Sequence, residues 1–191
     1  IMNKLIVLLG NPGSEYQGTR HNIAWQIVDK SSEYSQLNWK SKFKGLYASI
    51  DLGGDKIFFL KPETYMNLSG ESVKPICSFF KIETNNVLVV QDELDLPVGT
   101  LTAKSGGGLA GHNGLKSISQ HLGTNEYYRL RIGIGRPVHG SVSDHVLSNF
   151  KGDDLILLES ILLKSEEILK DFCSYDYEIA FKKYSKKIII N

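Results

Sequence analysis

The stretch LIVLLGNPGSEYQGTRHN, Leu5 to Asn22, runs from an unbroken apolar segment through a turn into a cluster of polar side chains. The apolar run Leu5–Leu9 falls in a predicted strand over Lys4–Leu9, and Asn11-Pro12-Gly13 is a strong chain break directly after it. Turn chemistry explains the first half of the loop. It does not explain Arg20-His21-Asn22, where a group that titrates near neutrality stands between a cation and an amide. Either this loop merely contains a histidine, or it is one wall of an active site.

Outward from that strand, apolar and β-branched runs predict further strands over Leu46–Leu52, Lys56–Leu60, Val87–Gln91 and Tyr128–Ile134, with a weaker one near Val98–Ala103. Helices are predicted over Asn22–Glu33, Ser69–Lys81, Asn113–His121 and from Asp153 to about Phe172. The last carries a stripe of Leu155, Leu158, Leu162, Glu166 and Leu169. Strands alternating with helices predict the α/β class: a single compact domain, residues 2–191, with a twisted, mostly parallel mixed central sheet flanked by helices. Ile1, ahead of Met2, is set aside. In such sheets ligands collect where strand ends and loops converge.

The chain has 191 residues, 41% hydrophobic and 23% charged, which is ordinary for a folded domain and argues against disorder. No run is long enough to span a bilayer and the start lacks a signal-peptide pattern, so a cytoplasmic location is expected. Of the two cysteines, Cys77 lies in apolar PICSFF and reads as a buried thiol; the pair shows no CxxC spacing. Net charge is only +1, yet Leu101–Gly140 holds Lys104, Lys116, Arg129, Arg131 and Arg136 against the single acid Glu126. A locally basic face on a neutral protein is compatible with a phosphate chain and equally with an ordinary solvated face.

Polar groups that packing does not require gather in the opening loop, in KPETYMNLSG (Lys61–Gly70), in VVQDELDLPVG (Val89–Gly99) and in KSGGGLAGHNGLKS (Lys104–Ser117). Gly106, Gly108 and Gly111 satisfy GxGxxG, but the preceding TLTAK is a weak strand, so a Rossmann site is not expected. Gly114-Leu115-Lys116-Ser117 breaks the Walker A order, no G-x-S-x-G elbow occurs, and His112, His121, His139 and His145 fit no zinc spacing. What remains is a histidine able to act as general base toward water, His21, and a carboxylate at a strand end, Asp92, able to hold its ring. Asn11, Asn67 and Asn113 all sit in turns, where a carboxamide can grip a peptide-like group or simply cap a helix.

Taken in order, LLGNPGSEYQGTRHN, KPETYMNLSGESV, DELDLPVG, GGGLAGHNGLKSI and RLRIGIGRP resemble the serial motifs of the bacterial peptidyl-tRNA hydrolase family, with SDHVLSNF continuing the match. The resemblance covers about Leu5 to Pro137, and five ordered motifs make it specific. It implies a monomeric α/β enzyme, free of metal and organic cofactor, that hydrolyses the ester joining a peptidyl or N-acylated aminoacyl group to a tRNA 3′ ribose. Recycling of tRNA from aborted translation is the implied role. By the family pattern His21 is the general base, Asp92 its partner, and Asn11 distinguishes blocked from unblocked aminoacyl groups. Tyr16, Tyr65, Asn67 and Asn113 line the substrate site, and Lys104 and Arg131 hold a tRNA phosphate.

The chain departs from the pattern at Leu9 and Ala24, where glycine is common, at Gln91, where histidine often precedes the aspartate, and at Leu109-Ala110, which replace His-Gly. Leu109 places a larger apolar group near the expected substrate path. Two alternatives are a non-catalytic RNA-binding protein on the same fold and a hydrolase of another acyl ester. The first has no use for a general base, and the second none for a phosphate clamp.

Overall fold

The computed structural model describes residues 1–191 and builds the sheet outward from β1 (Asn3–Leu8). Alternate residues of a strand face opposite sides, and the apolar run therefore feeds two cores. Ile6 and Leu8 join one cluster, whereas Leu5, Val7 and Leu9 join the other. The remaining strands are β2 (Lys40–Lys42), β3 (Gly45–Leu52), β4 (Asp55–Pro62), β5 (Val87–Glu93), β6 (Thr100–Ser105), β7 (Tyr128–Gly133) and β8 (Ile188–Ile189). The helices are α1 (Ile23–Lys30), α2 (Gly70–Phe79), α3 (Asn113–Leu122), α4 (Val142–Val146), α5 (Asp153–Ser174) and α6 (Tyr177–Tyr184).

All eight strands form one sheet in the order β2-β3-β4-β1-β5-β7-β6-β8. It is an α/β mixed sheet as expected, but parallel pairing is confined to β4-β1-β5-β7. Both flanks are antiparallel, so pairings divide into three parallel and four antiparallel. The physical reason lies in the connections. β3 and β4 are joined by Gly53-Gly54, both at positive φ, which makes a tight hairpin turn. β6 returns against β7, and β8 pairs antiparallel with β6. The same topology removes the dinucleotide reading of the glycine run, because β6, α3 and an antiparallel β7 are not a βαβ unit.

Residues of α1, α5 and α6 cover one face of the sheet, and residues of α2 and α3 cover the other. The predicted stripe of α5 is buried at Leu158, Leu162, Glu166 and Leu169, whereas Leu155 is exposed. Four elements escaped the sequence reading. β2 is three exposed polar residues, β8 is two residues, α4 is five residues, and α6 follows α5 after a short break. The last strand is tied to the sheet edge: Ile188 and Ile189 pair with Leu101 and Thr100, and Ile190 N donates to Gly99 O at 2.8 Å.

The closest helix–helix approach near the polar loops is at Gly70. A Cβ there would stand 2.3 Å from Ser117 O and 2.4 Å from the His121 ring, while Gly70 N donates to Ser117 Oγ at 2.9 Å. Gly→Ala in a helix ordinarily gains up to about 1 kcal/mol. Overpacking costs about 1–3 kcal/mol, and here the obstacle includes fixed backbone. Gly70→Ala is therefore expected to be net destabilising, lowering the thermal midpoint by several degrees in a melting experiment. An unchanged or raised midpoint would show that α2 and α3 separate freely.

Candidate active site

The opening loop resolves Arg20-His21-Asn22 into three directions. Gly10 is where the chain leaves β1, and a Cβ there would sit 2.6 Å from the Trp25 indole. That indole donates to Leu8 O at 2.7 Å, tying α1 back onto β1. Asn22 clamps the turn: its Oδ1 accepts from Asn11 N at 2.8 Å, and its Nδ2 donates to Asn11 O at 2.9 Å. Arg20 turns away, donating to Ser148 Oγ at 2.6 Å and Asn149 O at 2.7 Å, with Asp154 at 3.5 Å. It thereby pins the segment after α4 to the loop. His21, between them, faces a cleft.

That cleft, about 540 Å³, is lined by Asn11, His21, Tyr65, Asn67, Asp92 and Asn113 among others, and α4 forms its far wall with Val142, Ser143, Val146 and Leu147. Six of the sequence-predicted residues thus meet in one place. Tyr16 is not among the residues lining it; its ring meets that of Tyr65 edge to face, with centroids 6.5 Å apart. Tyr65 itself has φ 62°, a conformation that costs a non-glycine residue of order 1–3 kcal/mol and concentrates at functional sites. Leu109 is also absent from the lining and packs instead against the α2–α3 core, while Ala110 reaches the cleft. The larger apolar side chain is therefore turned to the core rather than to the cleft.

His21 Nδ1 lies 2.7 Å from Asp92 Oδ2. Burial alone would lower the imidazole's pKa, but the Asp92 charge and its hydrogen bond outweigh burial and raise it above 6.5. Since Nδ1 is engaged, Nε2 is the nitrogen left for a reacting group. Asp92 is buried on β5, and its second oxygen meets a residue the sequence reading missed. His112 Nε2 lies 2.8 Å from Asp92 Oδ1. Burial would raise the Asp92 carboxyl, yet its two histidine partners hold it well below the usual carboxylate range.

The His112 tautomer follows from its other nitrogen. Nδ1 accepts from Gly114 N at 3.1 Å and Leu115 N at 3.4 Å, making His112, not Asn113, the cap of α3. A nitrogen that accepts from N–H groups carries no proton, so the proton sits on Nε2 and points at Asp92. His21, Asp92 and His112 have ligand atoms within 4.8 Å of one another, as a metal set would. This tautomer leaves His112 Nε2 no lone pair toward the trio, and the arrangement suits proton holding. In sequence His112 had no zinc spacing and no visible tie to Asp92; only its place directly before a helix marked it.

Asn11 is oriented by the same reasoning. Its side-chain oxygen accepts from Met66 N at 2.8 Å, so the NH₂ end remains as the free donor beside His21. Asn67 and Asn113 are exposed on the cleft rim. Lys104 and Arg131 lie outside the cleft, on β6 and β7. Arg131 Nε donates to Glu93 Oε1 at 2.8 Å, and Glu93 lines the cleft. Burial, then the neighbouring Arg129 and Arg131, lower the Lys104 pKa. Of the other basic residues, Arg129 is buried and Arg136 is paired with Asp95. Cys77 is buried, which pushes its thiol up to about 12 and away from nucleophilic use. No helix is long and apolar enough to cross a membrane.

The chain is similar to the peptidyl-tRNA hydrolase of Listeria welshimeri, 41% identical over 183 residues, covering 95% of this chain and all of the relative. It is 45% identical over 162 residues to that of Desulfitobacterium hafniense, covering 84% and 88% of the two chains. The crystal structure of peptidyl-tRNA hydrolase from Acinetobacter baumannii superposes with a TM-score of 0.87 at 35% identity, over 97% of this chain and 96% of that one. The model of the family described as peptidyl-tRNA hydrolase matches residues 5–190, and the chain belongs to that family.

Proposed function

We propose that this protein hydrolyses the ester of peptidyl-tRNA and N-acylated aminoacyl-tRNA through water activated by His21. The observation that carries this reading is the 2.7 Å His21–Asp92 pair inside a cleft rimmed by three asparagines. Asp92 holds the proton on Nδ1, so Nε2 is free to take one from water as that water attacks the ester carbonyl. The carbonyl becomes a tetrahedral oxyanion, and the carboxamide NH₂ groups nearby are the neutral donors suited to it. Collapse breaks the bond to the ribose 3′ oxygen, which takes the proton from the imidazolium. Free tRNA and a peptide carboxylate result. Lys104 and Arg131 supply the phosphate contact, Tyr65, Asn67 and Asn113 the walls around the acyl end, and Tyr16 supports Tyr65. A single chain in the cytoplasm, acting on dropped peptidyl-tRNA, is the setting this implies.

His21→Ala should abolish release of the acyl group from N-acetyl-aminoacyl-tRNA while tRNA binding at low and high salt is retained. Full turnover by this variant would overturn the mechanism, and lost binding would move His21 from chemistry to recognition.

The pH dependence has a definite sign. A base works only unprotonated, so kcat/KM falls as pH drops through the His21 pKa, which Asp92 raises. Asp92→Asn removes both upward influences and leaves burial, which acts downward. The acidic limb should therefore move to lower pH while the plateau rate drops by about 10³–10⁴-fold, as when a triad aspartate is neutralised. A limb that stays in place would show that another group titrates.

Specificity for blocked substrates follows from the free Asn11 NH₂. It can meet the neutral amide of a peptidyl group but repels the α-ammonium of an unblocked one. Asn11→Asp keeps an acceptor for Met66 N and presents an anion where the donor was. The ratio of unblocked to blocked turnover should rise at least about tenfold. Equal ratios in mutant and wild type would remove Asn11 from discrimination.

A further inference from the structure

Between the cations of β6 and β7 and the catalytic cleft lies the glycine-rich segment Gly106–Gly111, and one buried side chain holds it. Arg129 is 1% exposed. A guanidinium that deep is expected to face a carboxylate. It faces two main-chain carbonyls instead, donating through Nη2 to Gly106 O at 2.6 Å and through Nη1 to Gly108 O at 2.9 Å. Its Nε has no partner. The segment it grips has no regular hydrogen-bonded form of its own: Gly106, Gly107, Ala110 and Gly111 all have positive φ. At Gly107 a Cβ would stand 3.0 Å from Lys104 Cε and 3.8 Å from Arg129 Nη2, so the loop rests directly on these side chains.

The far end of the loop is the part that matters to the reaction. Ala110, Gly111, His112 and Asn113 line the cleft, and His112 reaches Asp92. With both terminal nitrogens engaged and the side chain buried, Arg129 is withdrawn from solvent, unlike Lys104 and Arg131 on the same two strands. We infer that Arg129 is a positioning residue: its two-point grip on Gly106 and Gly108 sets the glycine loop so that His112 meets Asp92. Its planar fork suits this task because it bridges two carbonyls at a fixed spacing, which a lysine ammonium at one point cannot do. The proposed activity above is the frame for this inference.

The test combines Arg129→Lys and Arg129→Gln with His112→Ala, using the full chain and N-acetyl-aminoacyl-tRNA. Each Arg129 variant should lower kcat at least about tenfold, with KM and its salt dependence unchanged within about twofold. In the His112→Ala background the same substitutions should lower kcat less than about threefold, because their effect is transmitted through the group already lost. Amide exchange over Gly106–Asn113 should accelerate in Arg129→Lys without a comparable change in the sheet. A raised KM with a shallower salt dependence would instead make Arg129 part of the RNA contact, and equal losses in both backgrounds would make it general packing. Either result overturns the inference, as does unchanged loop exchange. The exchange measurement needs no turnover, so it decides the question even if wild-type protein fails to cleave the substrate, an outcome that would count against the activity itself.

Discussion

A carboxylate buried within the central parallel strands must find a hydrogen bond for each oxygen, and much of the site follows from how Asp92 does so. The penalty for leaving a buried charge without a partner is about 3–5 kcal/mol, a large part of a domain's net stability. Two segments satisfy it: the turn after β1, through His21 71 residues away in sequence, and the start of α3, through His112 20 residues away. Asp92 thus staples the opening loop and the glycine-rich loop to the end of β5. The groups that would perform the chemistry are the same ones that neutralise the strand end.

Two histidines on one carboxylate do not become equivalent. Each ring is defined by what its other nitrogen meets. For His112 that nitrogen is occupied by the N–H groups of Gly114 and Leu115, so the ring is locked as a donor to Asp92. For His21 no protein partner holds Nε2, and the ring faces the cleft. One histidine is therefore committed to holding the carboxylate, and the other is able to exchange a proton. The Asn22 clamp holds the Asn11 main chain, while Met66 N orients its carboxamide at the same cleft.

The sequence made some of this readable and concealed the rest for physical reasons. Unbroken apolar runs marked β1 and β5 because both of their faces are buried. β2 and β8 carried no such mark: one is wholly polar and exposed, the other is two residues at an edge. The parallel centre was legible from strand–helix alternation, but the antiparallel flanks depend on long-range pairing that no local pattern records. At the site, His21, Asp92, Asn11, Asn67 and Asn113 stood out as polar residues in turns and at a strand end that packing did not require. His112 did not, because its partner is distant in sequence and its own neighbours read as a helix start.

The basic stretch shows why counting charges in a sequence overstates the field they produce. Arg136 is matched by Asp95, and Arg129 is spent inside the fold on main-chain carbonyls. Arg131 is partly matched by Glu93, whereas Lys104 has no carboxylate partner and sits beside two like charges. What survives is Lys104 beside the partly matched Arg131 on β6 and β7, together with Lys116, which is exposed on α3 with no carboxylate partner. Register places Arg131 opposite Gln91 and Ile132 opposite Asp92, so Arg131 lies one strand from Asp92, about 4.8 Å between backbones, and Lys104 lies two strands away. Glu93 occupies the boundary: its carboxylate accepts from Arg131 Nε and also lines the cleft.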